Sequence, residues 1–235
     1  MHYKKILLKL SGEALAGHQS FGIAPDLLTH YTKEISKAYR SGITIAIVIG
    51  GGNIWRGEKS KTLGIERVPA DYMGMLATMI NSLALHNALT QQGIPTRLMS
   101  QVPMQSICEA YSRAKALQYL QKNYIVIIGA GLGKPYFTTD TAASLSAIEL
   151  GVDVLVKGTN VDGIYSADPK KNKQATRYTE LNIEQVLQKK LQIMDMTALT
   201  LCTEQHLPII VYNATKKDRL MQVLTKKELG TFIHP

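Results

Sequence analysis

A run of aliphatic and β-branched residues, Ile43-Thr44-Ile45-Ala46-Ile47-Val48-Ile49, closes on three consecutive glycines, Gly50, Gly51 and Gly52. Apolarity that does not alternate predicts a strand buried on both faces, as in a parallel sheet covered by helices. Parallel neighbours need crossover connections, so strand and helix should alternate along the chain. In open sheets of this kind ligands bind beyond the carboxyl ends of the strands, where these glycines stand. Lacking Cβ, they let backbone N–H groups approach a phosphate, and Arg56 adds a charge-assisted contact. The alternative is a tight turn needing positive φ. One glycine would serve that purpose, so three favour anion binding.

Two further strands end the same way. Lys4 to Leu10 reads as a strand closing on Lys9-Leu10-Ser11-Gly12, and Tyr124 to Ile128 closes on Gly129-Ala130-Gly131-Leu132-Gly133. Helical spacing predicts helices from Pro25 to about Arg40 and from Pro69 to near Gly93, the latter carrying Tyr72, Leu76, Met79, Ile80 and Leu83 on one face. Further helices are expected over Gln105 to Gln121, Thr141 to Leu150, Ile183 to Lys189, Asp195 to His206 and Asp218 to Thr225. Thr138-Thr139-Asp140 supplies a capping signal for the Thr141 helix. Ile94 to Met99, Val152 to Val156 and Ile209 to Tyr212 read as strands, with Thr231 to Ile233 as an edge strand. This order predicts an α/β protein: a three-layer α/β/α sandwich with a mostly parallel central sheet. No repeat or linker appears, so residues 1–235 read as a single domain with a soft division near Val152.

With 235 residues the chain can bury a full core without staples. Cys108 and Cys202 sit in apolar helical patterns and fit neither a disulfide framework nor metal-ligand spacing, which places the chain in a reducing cytoplasm. The N-terminus is too short and too interrupted by lysine for a signal peptide, and no apolar run reaches membrane-spanning length. The net charge of +9 favours anionic partners. Basic residues are scattered, with one small cluster at Lys170, Lys171 and Lys173, and no nucleic-acid-binding motif appears, so small phosphorylated ligands account for the charge without nucleic acid. Gly-x-x-x-x-Gly-Lys-Ser/Thr is absent, which excludes a P-loop kinase. Gly129, Gly131 and Gly133 have G-x-G-x-G spacing, and Pro135 interrupts the helix a dinucleotide fingerprint requires, which argues against a dehydrogenase.

Lys9 stands among apolar residues at a strand end, where an unpaired buried ammonium costs several kcal/mol. It should face a ligand or a carboxylate, unless it is simply an exposed strand-end lysine. Asp140 is either a plain helix cap or an orienting carboxylate. His18, His30, His86 and His206 show no spacing for metal or acid–base work, and no metal-ligating set is expected.

Lys9-Leu10-Ser11-Gly12-Glu13-Ala14-Leu15, Gly50 to Gly57 and Asp71-Tyr72-Met73-Gly74-Met75-Leu76-Ala77-Thr78 resemble the bacterial UMP kinase family, a branch of the amino acid kinase fold. So do Pro135 to Ala143 and Val161 to Pro169. The resemblance runs from Lys4 to about Ile233 and implies the carbamate kinase-like fold. It implies a UMP-binding lobe over about 1–151 and an ATP-binding lobe over about 152–235. The implied reaction is phosphoryl transfer from Mg-ATP to UMP, giving UDP by in-line transfer without a covalent intermediate, in pyrimidine nucleotide synthesis. By resemblance Lys9, Leu10, Ser11 and Gly12 hold the ATP phosphates, with Gly52 and Arg56 beside them. Lys157, Thr159, Asn160, Tyr165 and Asp168 form the rest of the ATP side. Gly51 and Asp71 serve UMP, the aspartate accepting from ribose hydroxyls. The segment Leu132, Gly133, Lys134, Pro135, Tyr136, Phe137, Thr138 and Thr139 wraps the uridine and its phosphate. Lys9 and Asp140 are the implied catalytic pair, Asp140 orienting Lys9.

The family also implies a homohexamer, activated by GTP and inhibited by UTP. Gly17, His18, Gln19, Ser20, Phe21 and Gly22, with Arg97, fall in its effector-linked segments. Where relatives read Gly-Thr-Gly-Asn-Pro this chain reads Gly131-Leu132-Gly133-Lys134-Pro135, which removes a threonine hydroxyl from the UMP loop. Arg113 and Lys115 also depart from several relatives near the effector segment. Two other readings of the same rim are a nucleotide sensor without turnover and a kinase of this fold acting on an amino acid or carbamate.

Overall fold

A computed structural model describes residues 3–57, 60, 62–167, 171–172, 174–189, 191, 193–226 and 229–234. Asp168 and two lysines of the basic cluster, Lys170 and Lys173, lie outside the described residues.

The strands are β1 (Lys5–Leu10), β2 (Thr44–Ile49), β3 (Thr96–Ser100), β4 (Glu109–Ala110), β5 (Ile125–Gly129), β6 (Val154–Thr159), β7 (Glu180–Asn182), β8 (Ile209–Asn213) and β9 (Thr231–His234). Among the described residues they form one nine-stranded sheet in the order β4-β3-β5-β2-β1-β6-β8-β9-β7. All pairings are parallel except β8 with β9. Thr231–His234 is therefore an interior strand, not the expected edge. The edges are two short strands, β4 and β7, with three-residue β7 not foreseen in the sequence.

β2 shows why the apolar run predicts burial on both faces. Ile45, Ile47 and Ile49 enter one core, and Ala46 and Val48 enter the other. The first core lies beneath α2 (Pro25–Arg40), α3 (Arg67–Gln91) and α8 (Arg219–Thr225). The second lies beneath α4 (Arg113–Gln121), α5 (Thr139–Leu150), α6 (Ile183–Gln188) and α7 (Met196–Glu204). A short α1 (Glu13–Ala16) follows β1. Each fully buried aliphatic side chain stabilises the fold by about 1.5–3 kcal/mol.

Two expectations need correction. The helix expected over Gln105 to Gln121 is only α4; Glu109 and Ala110 pair with β3 instead, and Cys108 closes a turn through its N–H to the Met104 carbonyl. Strand pairing overrides helical spacing there because Tyr111 N–H also finds the Ser100 carbonyl at 2.8 Å. On α3, Tyr72, Leu76, Ile80 and Leu83 are 43 %, 53 %, 50 % and 37 % exposed, whereas Met79 is buried. The helix instead turns a partly polar face inward, with Thr78, Asn81 and Ser82 buried beside Met75, Leu85 and Leu89.

The first crossover runs from β1 to β2 on one side, while β6 joins β1 on the other. The strand order thus reverses at β1, and a ligand crevice is expected at its carboxyl end.

Candidate active site

Lys9 of β1 and Lys157 of β6 are partners in the parallel register, so both side chains leave the sheet on one face. The first turn of α5 brings Asp140 to them. Lys9 Nζ lies 2.8 Å from Asp140 Oδ1, and Lys157 Nζ lies 2.6 Å from Oδ2. Lys157 also donates to the Ile193 carbonyl. Lys9 has three N–H donors, so pairing with Asp140 still leaves it donors for another acceptor.

Burial alone would raise the Asp140 pKa, but the two ammonium groups outweigh it and hold the carboxyl below the usual carboxylate range. Burial pushes the Lys157 ammonium down; Asp140 offsets part of that, and Lys9 adds to it. Two ammonium groups around one carboxylate leave an excess positive charge at the strand ends. Such a charge, largely removed from water, calls for an anion.

The glycine turns beside this cluster are held from below by α3. Asn53 and Asn81 exchange hydrogen bonds, Nδ2 to Oδ1 at 3.0 Å one way and 2.7 Å the other. Asn81 Nδ2 also donates to the Gly50 carbonyl at 2.7 Å, and Asn53 Nδ2 to the Gly22 carbonyl at 2.8 Å. Thr78 Oγ1 accepts from Ala130 N–H at 2.9 Å in the second glycine turn. None of Gly50, Gly51 and Gly52 has positive φ, so the tight-turn alternative does not explain them. Packing explains two glycines of the rim. A Cβ on Gly12 would lie 2.4 Å from the Gly50 carbonyl oxygen, and one on Gly51 would lie 2.7 Å from Ala77 Cβ.

Among the described residues three cavities matter here, two of them lined by members of the cluster and one reaching Thr139, the neighbour of Asp140 in the chain. One of about 220 Å³ gathers Gly51, Asp71, Leu132, Lys134, Phe137, Thr138 and Thr139 from the expected UMP set, along with Gly52, Trp55 and Thr78. One of about 280 Å³ gathers Lys9, Ser11, Lys157, Thr159 and Asn160 from the expected ATP set, along with Glu13, Gly17 and Thr215. A third of about 630 Å³, mostly aliphatic, lies between Asp140, α6 and α7.

Other expected residues lie outside the lining expected to hold them. Leu10 is buried in the core, and its carbonyl accepts from Gly50 N–H at 2.9 Å. Gly52, expected beside the ATP phosphates, borders the 220 Å³ cavity, while exposed Arg56 pairs with Glu13 at 3.1 Å. Tyr165 bridges to Arg177, apart from the described lining of the 280 Å³ cavity. Gly133 packs on the Gln101 carbonyl, and Tyr136 sends its N–H to Asp71 Oδ2 at 2.7 Å. Pro135 lies between them in the chain, outside the described lining. The effector-linked segments do not meet. Gly22 N–H binds the Asn53 carbonyl at the carboxyl ends of the strands, with Phe21 exposed nearby in sequence. Arg97, near the start of β3, lies over the rings of Tyr119 and Tyr124 at 5.2 and 5.0 Å.

Residues 4–213 match the model of the amino acid kinase family. The chain belongs to the amino acid kinase family. This kinase chain is similar to the solved UMP kinase of Bacillus anthracis, with 39% identity, a TM-score of 0.96, and coverage of 99% of this chain and 96% of that one. It is similar to the Ureaplasma parvum UMP kinase at 36% identity and a TM-score of 0.95, covering 100% of both chains. The Archaeoglobus fulgidus uridylate kinase, at 24% identity and a TM-score of 0.73 over 97% of this chain and 99% of that one, shares the fold.

Sequence reasoning missed several residues that shape this kinase site. Asp195 caps α7 through Ala198 N–H at 3.0 Å, accepts from Thr141 Oγ1 at 2.8 Å, and takes the Thr138 hydroxyl as well. Thr138 in turn caps α5, accepting from the N–H groups of Asp140 and Thr141 at 3.1 and 3.2 Å. The expected helix began at Asp195, but neither its cap nor its grip on a distant helix was foreseen. Asn81 and Thr78 had a faint signal as polar residues amid an apolar helix. Trp55 donates to the Ala70 carbonyl at 2.9 Å and walls the smallest of the three cavities.

Proposed function

We propose that this chain phosphorylates UMP to UDP, with Mg-ATP as donor. The observation that carries the reading is the Lys9–Asp140–Lys157 cluster at the reversal of the strand order, between a Thr138–Thr139 cleft and a Ser11–Thr159 cleft. The likeness to two solved UMP kinases over essentially the full chain supports the choice of acceptor.

The acceptor is assigned to the cleft of Gly51, Asp71 and the 131–139 loop, in an N-terminal lobe of about residues 1–151. The donor is assigned to the cleft of Ser11, Lys157, Thr159 and Asn160, in a C-terminal lobe of about 152–235. Phosphoryl transfer asks little covalent help of the protein, because the acceptor phosphate is already an anionic nucleophile. Lys9 places positive charge where the γ-phosphoryl oxygens gather density, and Asp140 fixes both lysines in place beforehand. In-line positioning by the two clefts supplies the rest, with no covalent intermediate. Among the described residues no His, Cys, Asp and Glu group could hold a metal, and Asp140 is occupied by its lysines. By resemblance Mg²⁺ is assigned to the ATP phosphates, as part of the substrate.

We assign the chain to a homo-oligomer, a hexamer by resemblance, in cytoplasmic pyrimidine nucleotide synthesis, with GTP as activator and UTP as inhibitor. The outward apolar stripe of α3, Tyr72, Leu76, Ile80 and Leu83, supports an oligomer seam. Among the described residues no helix is long and apolar enough to cross a membrane.

The test is an acceptor screen that measures ADP release with Mg-ATP. UMP should outrun the other nucleoside monophosphates, acetylglutamate, aspartate and carbamate. Equal turnover of an amino acid or carbamate would refute the assignment. No ADP release with any acceptor would favour a sensor.

A further inference from the structure

Arg67 opens α3 at the mouth of the acceptor cleft. Its Nε–H is shared by both oxygens of Asp71, at 2.9 and 2.8 Å. Its guanidinium carbon lies 5.5 Å from the centre of the Tyr136 ring. Tyr136 closes the bracket, donating its backbone N–H to Asp71 Oδ2 at 2.7 Å. These three residues tie α3 to the 131–139 loop, the two walls of the cleft.

The arrangement differs from an ordinary surface pair four residues apart, which contributes little. The Asp71 side chain is only 17% exposed, against 60% for Arg67, so the carboxylate sits inside the cleft and the cation outside it. Tyr136 is held at φ 73°, a left-handed conformation that a bulky residue keeps only when its surroundings impose it. Tyr136 is 66% exposed, so core packing does not impose it. Its described contacts are the amide bond to Asp71 and the Arg67 guanidinium near its ring.

Asp71 receives two N–H groups, and Oδ2 takes both while Oδ1 takes one. A carboxylate oxygen accepts more than one hydrogen bond, so Oδ1 keeps a place for a ligand donor. Because both oxygens are pinned, that place has a fixed direction. A cleft wall offering a pinned acceptor beside a phosphate-sized rim suits a sugar hydroxyl.

We propose that Arg67 is a positioning residue that gives the acceptor site its preference for ribose, by aiming Asp71 Oδ1 at a sugar hydroxyl. This rests on the acceptor-cleft reading above. Without Arg67, Asp71 keeps only the Tyr136 amide and can rotate away, while Lys9, Asp140 and Lys157 are untouched.

The test compares UMP with 2′-deoxy-UMP and 3′-deoxy-UMP in the full-length oligomer. Arg67→Ala should raise the UMP KM about tenfold, leave kcat within about threefold, and narrow the preference for UMP over the poorer deoxy analogue. Arg67→Lys should recover only part of that preference, because an ammonium is a point charge and cannot span both oxygens. Should Arg67→Ala not fold, Arg67→Lys and Arg67→Gln carry the same comparison. An unchanged UMP KM with an unchanged ribose preference overturns the proposal, as does a loss confined to kcat. Asp71→Asn, measured in parallel, separates the two failures. If it raises the UMP KM while Arg67→Ala does not, the cleft reading stands and the role of Arg67 falls. If neither moves it, both fall.

Discussion

Replacing Asp140 by Asn keeps the shape of the side chain and removes its charge, leaving two ammonium groups on neighbouring strands with no counter-ion. The native carboxylate lies 2.8 Å from one and 2.6 Å from the other. Removing one partner of a buried ion pair destabilises by about 3–5 kcal/mol, and here one carboxylate serves two cations. For a chain of this size that corresponds to a fall of roughly 6–20 °C in Tm at fixed protein concentration. The loss should depend on pH, and its sign follows from the protons bound. In the native protein the folded-state pKa of Asp140 is lowered, so its contribution is present above 3.8 and is lost as pH falls through the folded value. In the variant, Lys157 loses the carboxylate that offsets its burial, so its pKa, already lowered from 10.5, falls further. A lysine depressed in the folded state binds fewer protons there than in the unfolded chain, so the variant regains stability as pH rises toward 10.5. Urea unfolding should show the widest gap between native and variant near about pH 6 and a narrower gap near about pH 9.5. Turnover should fall roughly a hundredfold, because the lysines no longer meet the transferring group preorganised. A gap that does not change with pH, or a variant as stable as the native protein, would refute the charge argument.

Gly12→Ala should destabilise by about 1–3 kcal/mol or more, because its Cβ would press 2.4 Å from the Gly50 carbonyl oxygen; an unchanged urea midpoint would show that the strand ends can part freely. Asp195→Ala removes the α7 cap and the hold on Thr138 and Thr141, and should cost about 1–2 kcal/mol and raise the UMP KM; native stability and kinetics would remove it from the site's support. Lys9→Ala should lower kcat far more than it raises the UMP KM, and a change in KM alone would make Lys9 a binding residue. Ile80→Lys, on the exposed stripe of α3, should lower the mass measured by size exclusion with light scattering; an unaltered mass would place the oligomer seam elsewhere.

Much of the sheet was readable because buried parallel strands announce themselves. Ile43 to Ile49 has no polar face to turn outward, and Gly50 marks where the strand must stop. Boundaries set by local chemistry were also readable, as at Pro25 opening α2 and Thr138 capping α5. The α3 helix was harder. Its outward face is as apolar as its inward one, so periodicity could not say which side was core. The resemblance named many of the residues that line the 220 Å³ cavity, yet Asp195 lies far from Thr138 in the chain, Asn81 carries only a faint local signature, and the i,i+4 spacing of Arg67 and Asp71 says nothing of Tyr136.

The sequence by itself determined an alternating α/β chain whose strand ends were rich in glycine and basic residues. Apolar runs, helix caps and glycines act within a few residues of their own positions. Tertiary structure alone decided that Lys9 and Lys157 stand side by side, that one carboxylate serves both, and that α3 satisfies two glycine turns with buried amide and hydroxyl groups. Those outcomes depend on strand register and on which buried polar groups find partners. A hydrophobic pattern specifies that a residue is buried, but not which distant residue it will meet.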